Sequence, residues 1–168
     1  MSGGYAIDAF RFAREGRDLR GKLGFAELPR LRESLADGAG EVDYRLEGAT
    51  DAHRRSVLIL TIRAGLPLVC WRCLERVTVP VEQTTRFVLM SHEGDLPAVE
   101  DEPEDWTALV ASAPLQVRSL VEDELILALP IAPAHGADEC RPPPDGEPLA
   151  GNEQSPFGAL SALKRKKD

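Results

Sequence analysis

The sequence predicts an α+β fold: an antiparallel meander sheet, able to curl toward a barrel, packed by one long amphipathic helix and flanked by short N- and C-terminal helices. Three observations carry this. Between Glu41 and Met90, apolar residues recur at every second position in short runs, the pattern of half-buried strands. The gaps between those runs suit hairpins better than crossover helices. From Val117 the period changes: Val117, Leu120, Val121, Leu125 and Ala128 fall on one stripe of a helix with about 3.6 residues per turn.

Taken in order, Asp8 is a candidate N-cap for a short helix within residues 5–20, where Phe10, Phe12 and Ala13 offer apolar contact. Arg11, Arg14, Arg17 and Arg20 recur along this stretch and make either a solvated face or an anion-binding one. Gly21 and Gly24 break the pattern. Leu28 to Leu35 reads as one or two more helical turns, closed by Asp37-Gly38-Ala39-Gly40. Val42, Tyr44 and Leu46 alternate with charged residues as a first strand. After a polar link, Ser56 to Arg63 is a second, and its nearly continuous apolar run places it centrally. Gly65 is expected to start a tight turn into a third strand, Leu66 to Trp71. Val77, Val79 and Val81 form a fourth, and Thr84 to Met90 a fifth.

Residues 93–105 hold seven acidic residues, two prolines and no basic one, the composition of a mobile, solvated loop. Trp106 to Val110 returns as a last strand. In the helix that follows, Glu122, Asp123 and Glu124 lie largely off the apolar stripe and are expected to face water. Leu127 and Leu129 widen the apolar face, so that end should be deeply buried. Pro130, lacking an N–H, stops the helix. Residues 1–140 thus read as a single domain and the proline-rich 141–154 as a disordered linker. Residues 155–168 read as a short helix, capped by Ser155 with Pro156 at its first position, and a basic tail.

Composition narrows the function classes. With 43% hydrophobic residues the chain can bury a core, and no apolar run reaches the ~18 residues a membrane span needs. The N-terminus lacks the apolar region of a signal peptide, so a cytoplasmic location and reduced thiols are expected. A net charge of −8 argues against general nucleic-acid binding, leaves room for a local basic site, and would suit a basic protein partner.

Cys70-Trp71-Arg72-Cys73 is a C-x-x-C, and sixty-one residues later His135 and Cys140 supply an imidazole and a third thiol. Cys3His is a known structural zinc set, and the C-x-x-C gap lets both sulfurs reach one ion. Such an ion, held by four protein ligands, leaves no open position for water and is structural. Two other readings stay open: incidental buried thiols, and a redox pair, although strands on both sides of the C-x-x-C differ from the strand-to-helix setting of redox motifs. No catalytic set appears: there is no H-E-x-x-H, G-x-S-x-G, phosphate-binding loop or dinucleotide fingerprint. An enzyme is not expected, nor a small-molecule substrate. The terminal Lys164, Arg165, Lys166 and Lys167 are either a solubilising end or a phosphate-contacting arm.

Several strings together resemble a known family: C-W-R-C-L at 70–74, L-V-E-D-E-L-I-L-A-L-P followed by I-A-P-A-H and a cysteine, and S-P-F-G-A-L-S-A-L-K-R-K near the end. With I-D-A-F-R-F-A and L-P-R-L nearer the start, they are similar in content and order to the YceD family, the bacterial large ribosomal RNA subunit accumulation proteins. The resemblance implies a non-catalytic ribosome-biogenesis role in synthesis, processing or stability of large-subunit (23S) ribosomal RNA. Pre-ribosomal RNA would then be met by Trp71, Arg72, Lys164 to Lys167 and the arginines Arg11, Arg14, Arg17 and Arg20, since Arg pairs with phosphate and Trp stacks on bases. The alternative is an acidic module for a basic ribosomal protein, using residues 93–105 and the Glu122–Glu124 face.

Overall fold

A computed structural model describes residues 6–98, 105–111, 114–136 and 139–140. The chain is α+β. Five strands form one sheet in the order β2-β3-β4-β5-β6: β2 (Asp18–Gly24), β3 (Glu41–Thr50), β4 (Ser56–Val69), β5 (Arg76–Met90) and β6 (Thr107–Val110). The first four make the expected antiparallel meander. The fifth departs from it, because β6 pairs parallel to β5 through Phe87↔Thr107 to Met90↔Val110. The sheet is open, with β2 and β6 at its edges, and does not close into a barrel. A two-stranded ribbon, β1 (Ala6–Ile7) with β7 (Leu115–Gln116), ties the start of the described chain to the base of the main helix. No helix among the described residues is long and apolar enough to cross a membrane.

Two expected breaks in the sheet are absent. Gly65 does not turn the chain; it pairs with Pro80, and the ladder continues through Leu66↔Val79 and Leu68↔Val77 to Val69↔Arg76. The four short strands expected between Ser56 and Met90 are therefore two long ones. Burial explains why: Leu66, Leu68 and Val77 point inward and are almost fully covered, so breaking the ladder would expose them. Gly21 likewise sits inside β2, a strand that its glycines disguised. A Cβ at Gly21 would lie 2.6 Å from the Tyr44 hydroxyl, so here glycine makes room for a cross-strand ring.

The helices cover one face of the sheet. α1 (Ala9–Arg14) is capped as expected, the Arg11 N–H donating to Asp8 Oδ1 at 2.9 Å. It packs on β3 and β4, where a Cβ at Gly48 would come within 2.4 Å of the Phe12 carbonyl oxygen. Arg11 and Arg14 lie on this helix, Arg17 beyond it and Arg20 on β2, so the four arginines share no helical face. Arg11 is bound to Glu15 and Arg20 to Asp18. α2 is only Pro29–Arg32, preceded by a 3-10 turn at Phe25–Glu27. α3, Val117–Leu127, is eleven residues long, shorter than the sequence suggested. Its stripe of Val117, Leu120, Val121 and Leu125 is buried as expected.

Two expectations about α3 fail, and for related reasons. Glu122 and Glu124 do not face water; they are 4% and 5% exposed. Residue Leu28, which precedes α2, has no side chain able to cap it, and Pro29 opens the helix. Glu122 supplies the cap from another element: its Oε1 accepts from the Arg30 N–H at 2.7 Å and the Leu31 N–H at 3.2 Å. Its Oε2 accepts from Arg30 Nε and Nη2 at 3.1 and 3.0 Å. Asp123, half exposed, takes Arg30 Nη1 at 2.6 Å. Glu124 turns to the sheet, accepting from Gln83 Nε2 at 3.0 Å and from the Thr85 hydroxyl. Conversely Leu127, expected to be buried, is 76% exposed, because the helix ends there and Ala128 takes the C-cap.

Two substitutions check this packing. Gly48→Ala forces a methyl against the backbone of α1 and should cost about 1–3 kcal/mol, as overpacking does, read from the urea midpoint. Glu122→Ala leaves two backbone amides and the Arg30 Nε and Nη2 groups without their acceptor and should cost about 2–3 kcal/mol, whereas Asp123→Ala, on the exposed side, should cost less than ~1 kcal/mol. Equal losses for the two acids would contradict the assignment of Glu122 as the cap.

Candidate metal centre

The β4–β5 ladder closes on a turn, and the turn carries the C-x-x-C. The Cys70 N–H donates to the Glu75 carbonyl at 2.8 Å and the Leu74 N–H to the Cys70 carbonyl at 2.9 Å. Leu74 adopts φ +63, a left-handed conformation uncommon for a non-glycine residue. These constraints fold the turn so that Cys70 and Cys73 face one side. The second half arrives from beyond α3. Pro130 and Pro133 hold the chain out of helix, and the Trp71 N–H donates to the Pro133 carbonyl at 2.9 Å, docking this segment on the turn. A short turn then brings back Cys140, whose N–H donates to the Gly136 carbonyl at 3.1 Å.

The result is that Cys70, Cys73, His135 and Cys140 each place a potential ligand atom within 4.8 Å of the others. Cys70 and Cys140 sulfurs are 3.8 Å apart, and Cys73 Sγ is 3.3 Å from His135 Nδ1. Thiolates bound at ~2.3 Å to a tetrahedral ion stand ~3.8 Å apart, and a sulfur and an imidazole nitrogen ~3.5 Å apart. The spacing therefore fits a metal ion and not a disulfide, and the three cysteines are free thiols. His135 is oriented for the same task. Its Nε2 lies 3.0 Å from the Arg76 carbonyl, which can only accept, so Nε2 carries the proton and Nδ1 turns its lone pair toward the sulfurs.

The electrostatics divide the protons unevenly over the cluster. Burial pushes the Cys70 thiol up, but the N–H groups of Cys73, His135 and Arg72 outweigh it and bring it down to about 5. Burial and the neighbouring Cys70 and Cys73 thiols push Cys140 up to about 11. The Cys70 thiolate, and then the Arg76 carbonyl, hold His135 above its ordinary value against the opposing effect of burial. Alone, the cluster favours one thiolate and resists a second; a dication at its centre would let the others ionise.

Trp71 and Arg72 stand outward on the same turn, Trp71 60% exposed, and among the described residues Arg72 makes no ion pair. Lys164, Arg165, Lys166 and Lys167 lie outside the described residues, as do the linker expected at 141–154, the short helix expected within 155–168 and residues 99–104 of the acidic stretch. A concavity of about 670 Å³ lies elsewhere, on the outer sheet face, lined by Arg20, Lys22, Asp43, Arg45, Arg63 and Glu82 among others. Each of these six charges is engaged in an ion pair. Sequence reasoning missed the Glu122 cap and the exposed apolar residues around the turn. The cap had one faint signal, an acidic pair on α3 and an uncapped Leu28-Pro29 start ninety-odd positions away, which no local rule connects.

Comparison with known proteins agrees with the strings noted in the sequence. The family model described as large ribosomal RNA subunit accumulation protein YceD matches residues 58–164, from β4 to near the end of the chain. A Haemophilus influenzae protein of the same description is 27% identical over 169 aligned positions, covering 95% of each chain. No solved structure matches. With the match spanning both halves of the Cys3His group and the α3 motif between them, the chain belongs to the YceD family.

Proposed function

We propose that this protein is a non-catalytic ribosome-biogenesis factor that supports the synthesis, processing or stability of large-subunit (23S) ribosomal RNA. The supporting observation is the family match over residues 58–164, together with a relative named for that accumulation along 95% of its length. The four-ligand cluster holds one structural zinc: its donor set is soft, its ligand atoms lie within 4.8 Å of one another, and four protein ligands leave no coordination position for a reacting water. The zinc fixes the turn that presents Trp71 and Arg72, and these two residues meet pre-ribosomal RNA, Trp71 by stacking on an unpaired base and Arg72 by pairing with phosphate. Lys164, Arg165, Lys166 and Lys167 add phosphate contacts. The acidic-module alternative is weakened on the helix side, because Glu122 and Glu124 are used inside the protein.

The zinc is tested on the purified chain. One equivalent of metal is expected, lost in Cys73→Ser, with chelation lowering the thermal midpoint of the wild type and leaving that of Cys73→Ser unchanged. Metal-free wild-type protein of the same midpoint would overturn the assignment. The RNA contact is tested with single-stranded 23S fragments: contact with about five phosphates, through Arg72 and Lys164 to Lys167, predicts a roughly hundredfold loss of affinity for a fourfold rise in salt. Trp71→Ala should remove about 1–3 kcal/mol of binding at any salt, the worth of one stacked base. Absence of RNA binding at low salt, with a basic ribosomal protein co-purifying instead, would favour the acidic-module alternative.

A further inference from the structure

The start of β4 carries a basic cluster separate from the Cys3His turn. β4 follows directly on a tight turn, Asp51 to Arg55, and leads into the C-x-x-C at its other end; fourteen extended residues hold the two turns about 45 Å apart. Asp51 organises its turn. Its side chain is only 3% exposed. Oδ1 accepts from the His53 and Arg55 N–H groups at 2.9 and 2.8 Å, and Oδ2 from Arg55 Nε at 2.7 Å. Arg86, on β5, brings Nη2 to 3.5 Å from the same Oδ2. The parallel register of Phe87↔Thr107 leaves Trp106 alongside Arg86, and the Arg55 guanidinium stands 4.9 Å over the Trp106 ring.

This unit holds more cations than its carboxylate can serve. Asp51 is shared by two guanidiniums, and Arg54, the next residue in the turn, is exposed and makes no ion pair among the described residues. Asp105, which precedes Trp106, is exposed and forms no ion pair with the cluster. Arg86 is held weakly: its contact to Asp51 is long, and its buried Nε has no acceptor among the described residues. A buried donor without an acceptor is uncommon and costly. Arg55, fixed by Asp51 on one side and Trp106 on the other, keeps its place without a further partner. On a chain of net charge −8, such a local excess of guanidinium is a site for an oxyanion and not part of a general positive field. Phosphate suits it better than a carboxylate, because it offers more acceptor oxygens to guanidiniums that already spend one edge on Asp51.

We infer that the Asp51–Arg55 turn is a phosphate-binding site for the backbone of RNA, with Arg54, Arg55 and Arg86 as its cations. As a second RNA contact it rests on the function proposed above. It adds about one phosphate to those counted there, at a place that no base needs to reach.

Binding of the full-length protein to single-stranded 23S fragments tests the site. Arg54→Asn suits the left-handed backbone at φ +63 and removes no side-chain bond, so circular dichroism and the urea midpoint should match the wild type. It should weaken binding alike for every fragment sequence and make the salt dependence shallower by about one phosphate. Arg54→Glu should raise the Kd roughly tenfold at low salt. Arg118→Glu, the same charge change at an exposed arginine of α3 that makes no ion pair among the described residues, should raise it less than about twofold. No loss in Arg54→Glu, or equal losses in Arg54→Glu and Arg118→Glu, overturns the site. Polyglutamate of matched charge binding as tightly as RNA overturns phosphate as its ligand. Trp71→Ala in the same assay separates the two contacts. Loss there with none at Arg54 removes this site and leaves the Trp71 contact standing; loss at Arg54 with none at Trp71 does the reverse; a wild type that binds no fragment at low salt removes both.

Discussion

Everything at the Cys3His turn depends on the β4–β5 ladder running without interruption past Gly65 and Pro80. Only an intact two-strand ribbon delivers Cys70 and Cys73 to the far end of the hairpin and leaves the Arg76 carbonyl at the place where His135 needs an acceptor. The ribbon extends beyond β3, whose pairing with β4 stops at Val42↔Ala64. Past that point its support comes from side chains, with Leu66 and Leu68 buried against the small helices, and from the Ala36 N–H donating to the Pro67 carbonyl. The core and the cluster are thus mechanically one unit: apolar burial extends the hairpin, and the hairpin holds the ligands.

The Glu122 cap serves the same unit from the other side. α2 is a single turn that could not persist alone, since a first helical turn fixes many dihedrals for one hydrogen bond. Borrowing its cap from α3 joins the two helices through a buried carboxylate, and that contact holds α3 against the sheet on the line that leads into Pro130 and His135. A charged group in this position is held by four donors, which is what makes its burial tolerable.

Much of this was legible from residues alone where the governing rule is local. The alternation of Val42, Tyr44 and Leu46, the stripe on α3 and the Asp8 cap each reflect a preference spanning a few residues, and each appears as read. That Cys70, Cys73, His135 and Cys140 could come together was also visible, because ligand chemistry restricts which side chains can serve. What stayed hidden was set by partners far along the chain. Gly65 looks like a turn and Gly21 like a break until Pro80 and Tyr44 are placed opposite them. Glu122 looks like surface until Arg30 and Leu31 are seen to lack a cap. Leu127 lies on the apolar side of the periodicity, but the helix ends before the sheet can cover it.

The parallel pairing of β6 carries a consequence for how the chain can vary. An antiparallel neighbour could follow β5 after a tight turn, but a parallel one requires the backbone to travel back to the level where β5's last stretch began. The segment from Ser91 to Trp106 makes that return. Among its described residues none pairs in a ladder, so its composition is less constrained than its span. Insertions there add reach at little entropic cost, whereas deletions meet a floor below which the fifth strand can no longer be supplied.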